Sequence, residues 1–383
     1  MEQLRKRTRV GRSKDKNEDE NTKNHINISK SWQKLTYDVL CIIFKYLNGL
    51  DLSNASQVCR SWLEVANNEK RARGPSCIIR NKRKSRYMVF TWECLKQEII
   101  ECSTVKPSLT IFFTVGSEDP LSERCHCDNL PSNCDSISLN TYGVVINNTE
   151  SEEDSHNIVS MFFPEVPNIK ISTITFNVYD WKNLKETYCN QLKSEFETPF
   201  NNDCRKTSCL ILLCDWSGRS IALSLLKSSK NWLPSKRASI WGGIAKNLSV
   251  CTTINNARVC KNSANCVAIV INGIQMRTCS VLLDANCNTK ERVEDKLRTF
   301  KDSVQLKKHS IGFMFACCVR GTNTFKERNV ESTIFKGFFP RVPLVGCFGD
   351  GEFGKKLINE TCRKKRVKWY NSESTVFMIL TYN

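Results

Sequence analysis

The amino-acid sequence predicts an α+β fold: a small three-helix unit near the N-terminus joined to a larger mixed α/β region with several sheets and flanking helices. Between Trp32 and about Asn68, apolar residues recur at helical period. From about Met88 onward, short β-branched and aromatic runs of strand length alternate with helical segments. The composition, 40% hydrophobic and 25% charged, is that of a globular chain, and 383 residues suffice for two or three domains.

The first thirty residues are almost devoid of apolar side chains and cannot bury enough surface to offset the entropy of ordering, so residues 1–30 are expected to form a disordered basic and polar tail. They contain neither an apolar core region nor a cleavage site, so they do not read as a secretory signal. With no apolar run of about 20 residues, a membrane partner is excluded. These features place the protein in the cytoplasm, the nucleus or both. There the 21 cysteines stay reduced and serve as small core residues, as expected for Cys209, Cys214, Cys317 and Cys318. No cofactor is called for.

Net charge is +18, concentrated in Arg5-Lys6-Arg7, in Lys70 to Arg86 and in Arg363 to Lys368. Such clusters attract acidic surfaces or act as import signals. Aromatic residues are not interleaved with them at base-stacking spacing, which disfavours nucleic acid as a partner.

The helical block spans residues 31–75. Leu35, Val39, Leu40, Ile43, Phe44 and Leu47 share one broad helical face, and Gly49 stands where a helix commonly stops. A second helix is expected from Asp51 to Val58, carrying Leu52, and a third carrying Trp62, Leu63 and Val65. Three short helices cannot hide so much apolar surface among themselves, and a surplus of this kind marks a partner surface. Residues 76–104 then read as a basic linker leading into the larger region.

Strands are expected at Leu109–Val115, Tyr142–Ile146, Ile169–Val178, Cys209–Cys214, Cys266–Ile271, Ser280–Leu283, Ile311–Cys317, Pro343–Phe348 and Thr375–Leu380. Val293, Leu297, Phe300 and Val304 mark one helix. Asn329, as a capping side chain, opens another that ends before Pro340.

The run Leu35-Thr36-Tyr37-Asp38-Val39-Leu40, with Ile43-Phe44, Tyr46-Leu47, Asp51-Leu52 and Val58-Cys59-Arg60-Ser61-Trp62, resembles an F-box. Thr36 stands where that motif usually has proline, and a threonine can still cap the helix start. The resemblance implies that Leu35, Val39, Leu40, Ile43, Phe44, Leu47, Leu52, Val58 and Trp62 bind the adaptor Skp1. Skp1 in turn docks on a cullin that carries the RING subunit.

Two further stretches, Gly312 to Gly321 and Asn329 to Gly354, resemble the C-terminal FIST region of the F-box only protein 22 family. Tyr142-Gly143-Val144-Val145, Phe162-Phe163-Pro164 and Trp241-Gly242-Gly243 add weaker likeness. The implied domains are FIST N-like over 105–255 and FIST C-like over 256–383. Arg320, Gly321, Asn329, Glu331, Gly349, Asp350, Gly351, Glu352 and Gly354 form the candidate substrate or ligand pocket. Its glycines would let backbone approach another molecule, Asp350 and Glu352 would meet a cationic group, and Arg320 would clamp a carboxylate. The resemblance implies a substrate-recognition subunit of a Skp1–cullin–F-box ubiquitin ligase, sending target proteins to degradation. The alternative is an amino-acid-like ligand sensor through the FIST region.

Catalytic residues are not assigned. The four histidines, His25, His126, His156 and His309, form no nucleophilic signature with a cysteine, and Gly218 and Gly242-Gly243 complete no phosphate-binding fingerprint. Cys125, Cys127 and Cys134, around His126, form a weak zinc candidate, because Cys125 and Cys127 are closer in sequence than zinc-binding pairs usually are.

Overall fold

A computed structural model describes residues 35–81, 103–115, 127, 130–152, 157–166, 168–197, 207–230, 233, 238–254, 257–261, 263–355 and 369–383. The expected tail, the basic run beyond Asn81, Cys125, His25, His126, His156 and the cluster from Arg363 to Lys368 lie outside the described residues.

The N-terminal unit contains α1 (Tyr37–Phe44), α2 (Gly49–Ala55) and α3 (Arg60–Ala72). Leu40, Phe44, Leu52, Ala55, Val65 and Ala66 form its core, with Leu47 and Trp62 packed against it. Phe44 meets Trp62 edge to face with ring centroids 5.2 Å apart. Two expectations fail here. Thr36 occupies the N-cap of α1 but makes no side-chain capping bond. Gly49 does not stop α1; it opens α2, whose cap is Asn48, with Oδ1 accepting from Asp51 N at 2.8 Å. The glycine is required for a close approach: a Cβ there would sit 2.2 Å from the carbonyl carbon of Val105 in the larger region.

Among the described residues, the larger region has eighteen strands in three six-stranded sheets. In chain order they are β1 (Ser76–Asn81), β2 (Pro107–Val115), β3 (Asp135–Thr141), β4 (Gly143–Ile146), β5 (Thr149–Glu152) and β6 (Asn157–Pro164). Next come β7 (Ile169–Phe176), α4 (Val178–Glu197), β8 (Thr207–Cys214), α5 (Arg219–Ser229), β9 (Ala238–Ile244), β10 (Asn247–Ile254), β11 (Ala257–Lys261) and β12 (Cys266–Gly273). The chain finishes with β13 (Met276–Leu283), α6 (Lys290–Ser303), β14 (His309–Cys317), α7 (Thr322–Phe325), α8 (Val330–Phe338), β15 (Leu344–Gly349), β16 (Glu352–Phe353), β17 (Tyr370–Asn371) and β18 (Thr375–Tyr382).

The sheets run β1-β6-β2-β3-β10-β11, β7-β12-β8-β9-β16-β17 and β13-β18-β14-β15-β4-β5. Each has the same pattern: two antiparallel pairs, one parallel pair, then two antiparallel pairs. The chain therefore makes three structural repeats, over residues 76–164, 169–273 and 276–382. Each repeat lays down three strands, sends a hairpin to another sheet, and returns with a fourth strand. β4–β5 joins the third sheet, β10–β11 the first, and β16–β17 the second.

This exchange bears on two expected boundaries. The segment from 76, expected to be linker, begins with β1, which pairs along its length with β6. The expected division at 255–256 falls between β10 and β11, which pair with each other inside the first sheet.

The repeats share a central core. Leu109, Ile111 and Phe113 of β2, Cys209, Ile211 and Leu213 of β8, and Ile311, Phe313 and Phe315 of β14 converge there with Trp241. The alternate residues face outward. Leu210, Leu212 and Cys214 pack with Leu192 of α4 and Ile221 and Leu225 of α5. Met314 and Ala316 pack with Val293, Leu297 and Phe300 of α6 and Phe335 of α8. Burial on both faces explains why these strands read as continuous apolar runs. Each fully buried Leu, Ile or Phe contributes about 1.5–3 kcal/mol relative to exposure.

Candidate functional site

The structure divides the F-box side chains expected to meet the adaptor. Leu35, Val39, Ile43 and Val58 are exposed, Leu47 and Trp62 are half-buried, and Leu40, Phe44 and Leu52 are buried. The last three form the unit's own core and are not available to a partner. Exposed beside them are residues not in the expected adaptor-binding set: Tyr37, Ile42, Tyr46, Leu50 and Leu63. Ile42 is 57% exposed and Tyr46 is 86% exposed. The signal was present in the sequence, because α1 is apolar on all sides from Val39 to Phe44, and such a helix needs cover on all sides. Its own unit covers only the Leu40–Phe44 side.

The F-box is fixed to the body through Arg73. Its guanidinium donates to the carbonyl oxygens of Phe44 at 2.9 Å, Leu47 at 2.7 Å and Thr104 at 2.6 Å, and Nε donates to Glu69 at 2.8 Å. Gly49 N donates to Ser103 O at 2.9 Å, and His309 Nε2 donates to Arg71 O at 2.9 Å. A cavity of about 690 Å³ lies along this seam, lined by Lys70, Arg71, Lys106, Glu165, Lys308 and Tyr382 among others. Burial, and then the neighbouring Lys106 charge, push the Lys70 ammonium below its ordinary range.

The residues assigned to a ligand pocket do converge at the C-terminal ends of the parallel strands β14 and β15, where open α/β sheets commonly bind ligands. Their side chains, however, are directed at one another. Arg320 is 1% exposed and Glu331 0%. Arg320 donates from Nη2 to Glu331 Oε1 at 2.5 Å and from Nε to Oε2 at 3.4 Å, and a further bond reaches Cys287 O at 2.9 Å. Thr375 Oγ1 donates to Glu331 Oε2 at 2.8 Å. Although burial works against it, the Glu331 carboxylate holds the guanidinium above its ordinary range. The expected carboxylate clamp is thus filled from within the chain.

Glu352 is buried as well. Its Oε2 accepts from Ser374 Oγ at 2.6 Å and from Ser374 N at 3.2 Å. Burial, followed by nearby Cys317, pushes its carboxyl up to about 9, so it is not the anionic group expected to meet a cation. Asp350 is half-buried and its backbone N–H bonds to Ile244 O at 2.8 Å.

The glycines serve the fold. A Cβ at Gly349 would lie 2.3 Å from the Phe315 ring, and one at Gly354 2.5 Å from Val376 Cγ2. Gly351 has φ +109° beneath Tyr370, and Gly321 has φ +62° against Glu152. Asn329 has a left-handed backbone, φ +63°, and makes no side-chain cap. Its Oδ1 accepts from Glu150 N at 2.7 Å, while Glu150 Oε1 accepts from Ser332 N at 2.7 Å in the first turn of α8. The helix is capped from the neighbouring repeat's hairpin, which no local pattern encodes. Burial and then the Glu331 charge push the Glu150 carboxyl up to about 7.

The cysteine candidates also separate. Cys125 lies outside the described residues. Cys134 turns to Thr110 Oγ1 at 3.4 Å, whereas the Cys127 thiol lies 3.3 Å from that of Cys260.

A family profile described as F-box-like matches residues 32–71. F-box only protein 22 of Homo sapiens is 28% identical over 232 residues, covering 58% of this chain and 56% of that protein. The Pongo abelii protein of the same name gives the same identity and coverage. The F-box/LRR-repeat protein At5g63520 of Arabidopsis thaliana is 32% identical over 94 residues, or 24% of this chain and 18% of that one. The match thus spans little more than half the length of the first two relatives.

Proposed function

We propose, from the F-box-like domain and the similarity that support membership of the F-box only protein 22 family, that this chain is the substrate-recognition subunit of a Skp1–cullin–F-box ubiquitin ligase. One observation carries the reading: Val39, Ile42, Ile43 and Tyr46 lie exposed together on and just beyond α1, on a unit held to the body by Arg73. An apolar surface of this kind needs a partner, and Skp1 is the partner that an F-box takes. Cullin and RING subunits would follow through Skp1, and the three-sheet body, read as FIST-like, would present the target protein. Ubiquitin transfer then rests on effective concentration, the chain itself being non-catalytic. Residence is in the cytoplasm or nucleus, where that machinery works.

The test is capture of Skp1, cullin and RING subunits by the full chain and by Ile43→Asp. Capture by wild type and its loss in a variant with an unchanged melting curve supports the reading. Equal capture by both, or by neither, defeats it. The amino-acid sensor gains no support from the loop cluster, because Arg320, Glu331 and Glu352 are bonded to residues of the chain itself.

A further inference from the structure

Before β3, the Cys134 thiol turns to Thr110. Cys127 reaches instead to the hairpin that the second repeat lends to the first sheet. Cys251 on β10 and Cys260 on β11 are register partners across that hairpin, so their side chains leave the same face of the ribbon. The Cys127, Cys251 and Cys260 sulfurs all lie within 4.8 Å of one another. Cys127 and Cys251 are buried and Cys260 is exposed.

We propose that Cys127, Cys251 and Cys260 bind one zinc ion as thiolates and fasten the stretch before β3 to the edge of the first sheet. Three soft sulfur donors converging from two distant parts of the chain are what zinc selects. Tetrahedral zinc with bonds of about 2.3 Å sets its sulfurs about 3.8 Å apart. The Cys127–Cys260 pair stands at 3.3 Å and all three lie within 4.8 Å, so small rotations of the side chains suffice. A disulfide would use only two of the three thiols, and an intracellular redox poise does not favour it.

The frame for the site is built without the ion. Arg258 of β11 donates to the carbonyl oxygens of Leu130 at 3.3 Å and Cys134 at 3.2 Å, and also to Pro131. Thr253 of β10 bonds through its hydroxyl to Ser132 O. These bonds hold residues 130–134 on the hairpin, so the metal ligands are brought together before binding. Cys134 stays outside the set through its bond to Thr110. Water or one further donor completes the tetrahedron; Cys125 and His126 lie outside the described residues and are given no role.

The location has a structural reason. In the second and third repeats the crossover joining the parallel pair carries an amphipathic helix, α5 or α8, that covers the outer face of its sheet. In the first repeat, the described residues of that crossover, Cys127 and 130–134, lie against β10 and β11 at the sheet edge. A metal ion there would tie the described part of this crossover to the β10–β11 hairpin.

The test is metal analysis of the full chain purified under reducing conditions, with cobalt substitution and differential alkylation. About one zinc per chain is expected. Cobalt should give a thiolate charge-transfer band. Cys127, Cys251 and Cys260 should become alkylated only after chelation, a readout that needs no variant. Cys260→Ser, an exposed position, should weaken zinc binding by at least about tenfold, while Cys134→Ser leaves it unchanged. Failure of the reduced protein to take up zinc or cobalt overturns the proposal. So does full zinc affinity in Cys260→Ser, or alkylation of the three cysteines that ignores chelation.

Discussion

Arg320 and Glu331 face each other as a bidentate pair with oxygen–nitrogen distances of 2.5 and 3.4 Å, both side chains removed from solvent. Removing one partner leaves a buried charge without its counter-ion. Arg320→Ala is therefore expected to lower stability by about 3–5 kcal/mol, read from denaturant midpoints. The double variant Arg320→Met with Glu331→Leu should recover part of that loss, since an apolar pair leaves no charge stranded. A single variant as stable as wild type would show that the pair does not hold the loop.

The buried carboxyls make stability depend on pH. Glu150, at about 7, and Glu352, at about 9, lie above the ordinary carboxylate value of 4.5 in the folded protein. Each contribution is fully present below the unfolded value and is lost as pH rises through the folded one. Stability should fall from about pH 5 to about pH 9, with each group adding at most about 1.4 kcal/mol per pH unit. Glu352→Gln keeps the group neutral and should flatten the alkaline part of that curve. Denaturant titrations at several pH values would expose an unchanged slope, which counts against the assignment.

On the F-box, core and surface substitutions should behave differently. Phe44→Ala empties a buried site against Trp62 and should cost about 3–5 kcal/mol of the unit's stability. Val39→Asp and Ile43→Asp, on exposed positions, should leave melting unchanged while abolishing adaptor capture. Loss of capture only in variants that also unfold would show that the face is not a docking surface.

Arg73 joins α1, the residues just beyond it and Thr104 through carbonyl oxygens. Arg73→Ala strands these acceptors, at a cost of about 1–3 kcal/mol for each one left unsatisfied. Hydrogen exchange should then quicken in α1 and α2 before it does in the sheets. Uniform protection across both parts would refute the coupling.

Two equivalent strands in the second and third repeats carry a glycine under a neighbouring carbonyl. A Cβ at Gly242 would lie 1.9 Å from Leu212 O, and one at Gly346 1.8 Å from Met314 O. Gly346→Ala should destabilise the protein by more than the ~1 kcal/mol that propensity alone accounts for. A melting temperature equal to wild type would contradict the close packing of β14 and β15.

Every strand expected from an apolar run is present: β2, β4, β7, β8, β12, β13, β14, β15 and β18 each occupy most of the predicted span. For β2, β8, β12, β14, β15 and β18 the reason is burial on both faces, which writes itself as a run of β-branched and aromatic residues. β7 and β13 are only half-buried along much of their length, and the buried β6 and β9 were not expected. The half-buried β3, β10 and β11 and the short β5, β16 and β17 carried no such signal. In α6, Val293, Leu297 and Phe300 lie buried on one stripe as their spacing required.

What the sequence determined by itself is thus local: the periodicity of single elements, the helical F-box unit and the residue types available for chemistry. Tertiary structure alone decided the partners of those residues. Three repeats that exchange hairpins bring Glu150 to the first turn of α8, Glu331 to Arg320, and Cys251 and Cys260 to Cys127. The physical reason is that a side chain's burial and charge state depend on what another segment places against it. A buried ion pair and an open binding pocket can therefore be spelled by the same residues.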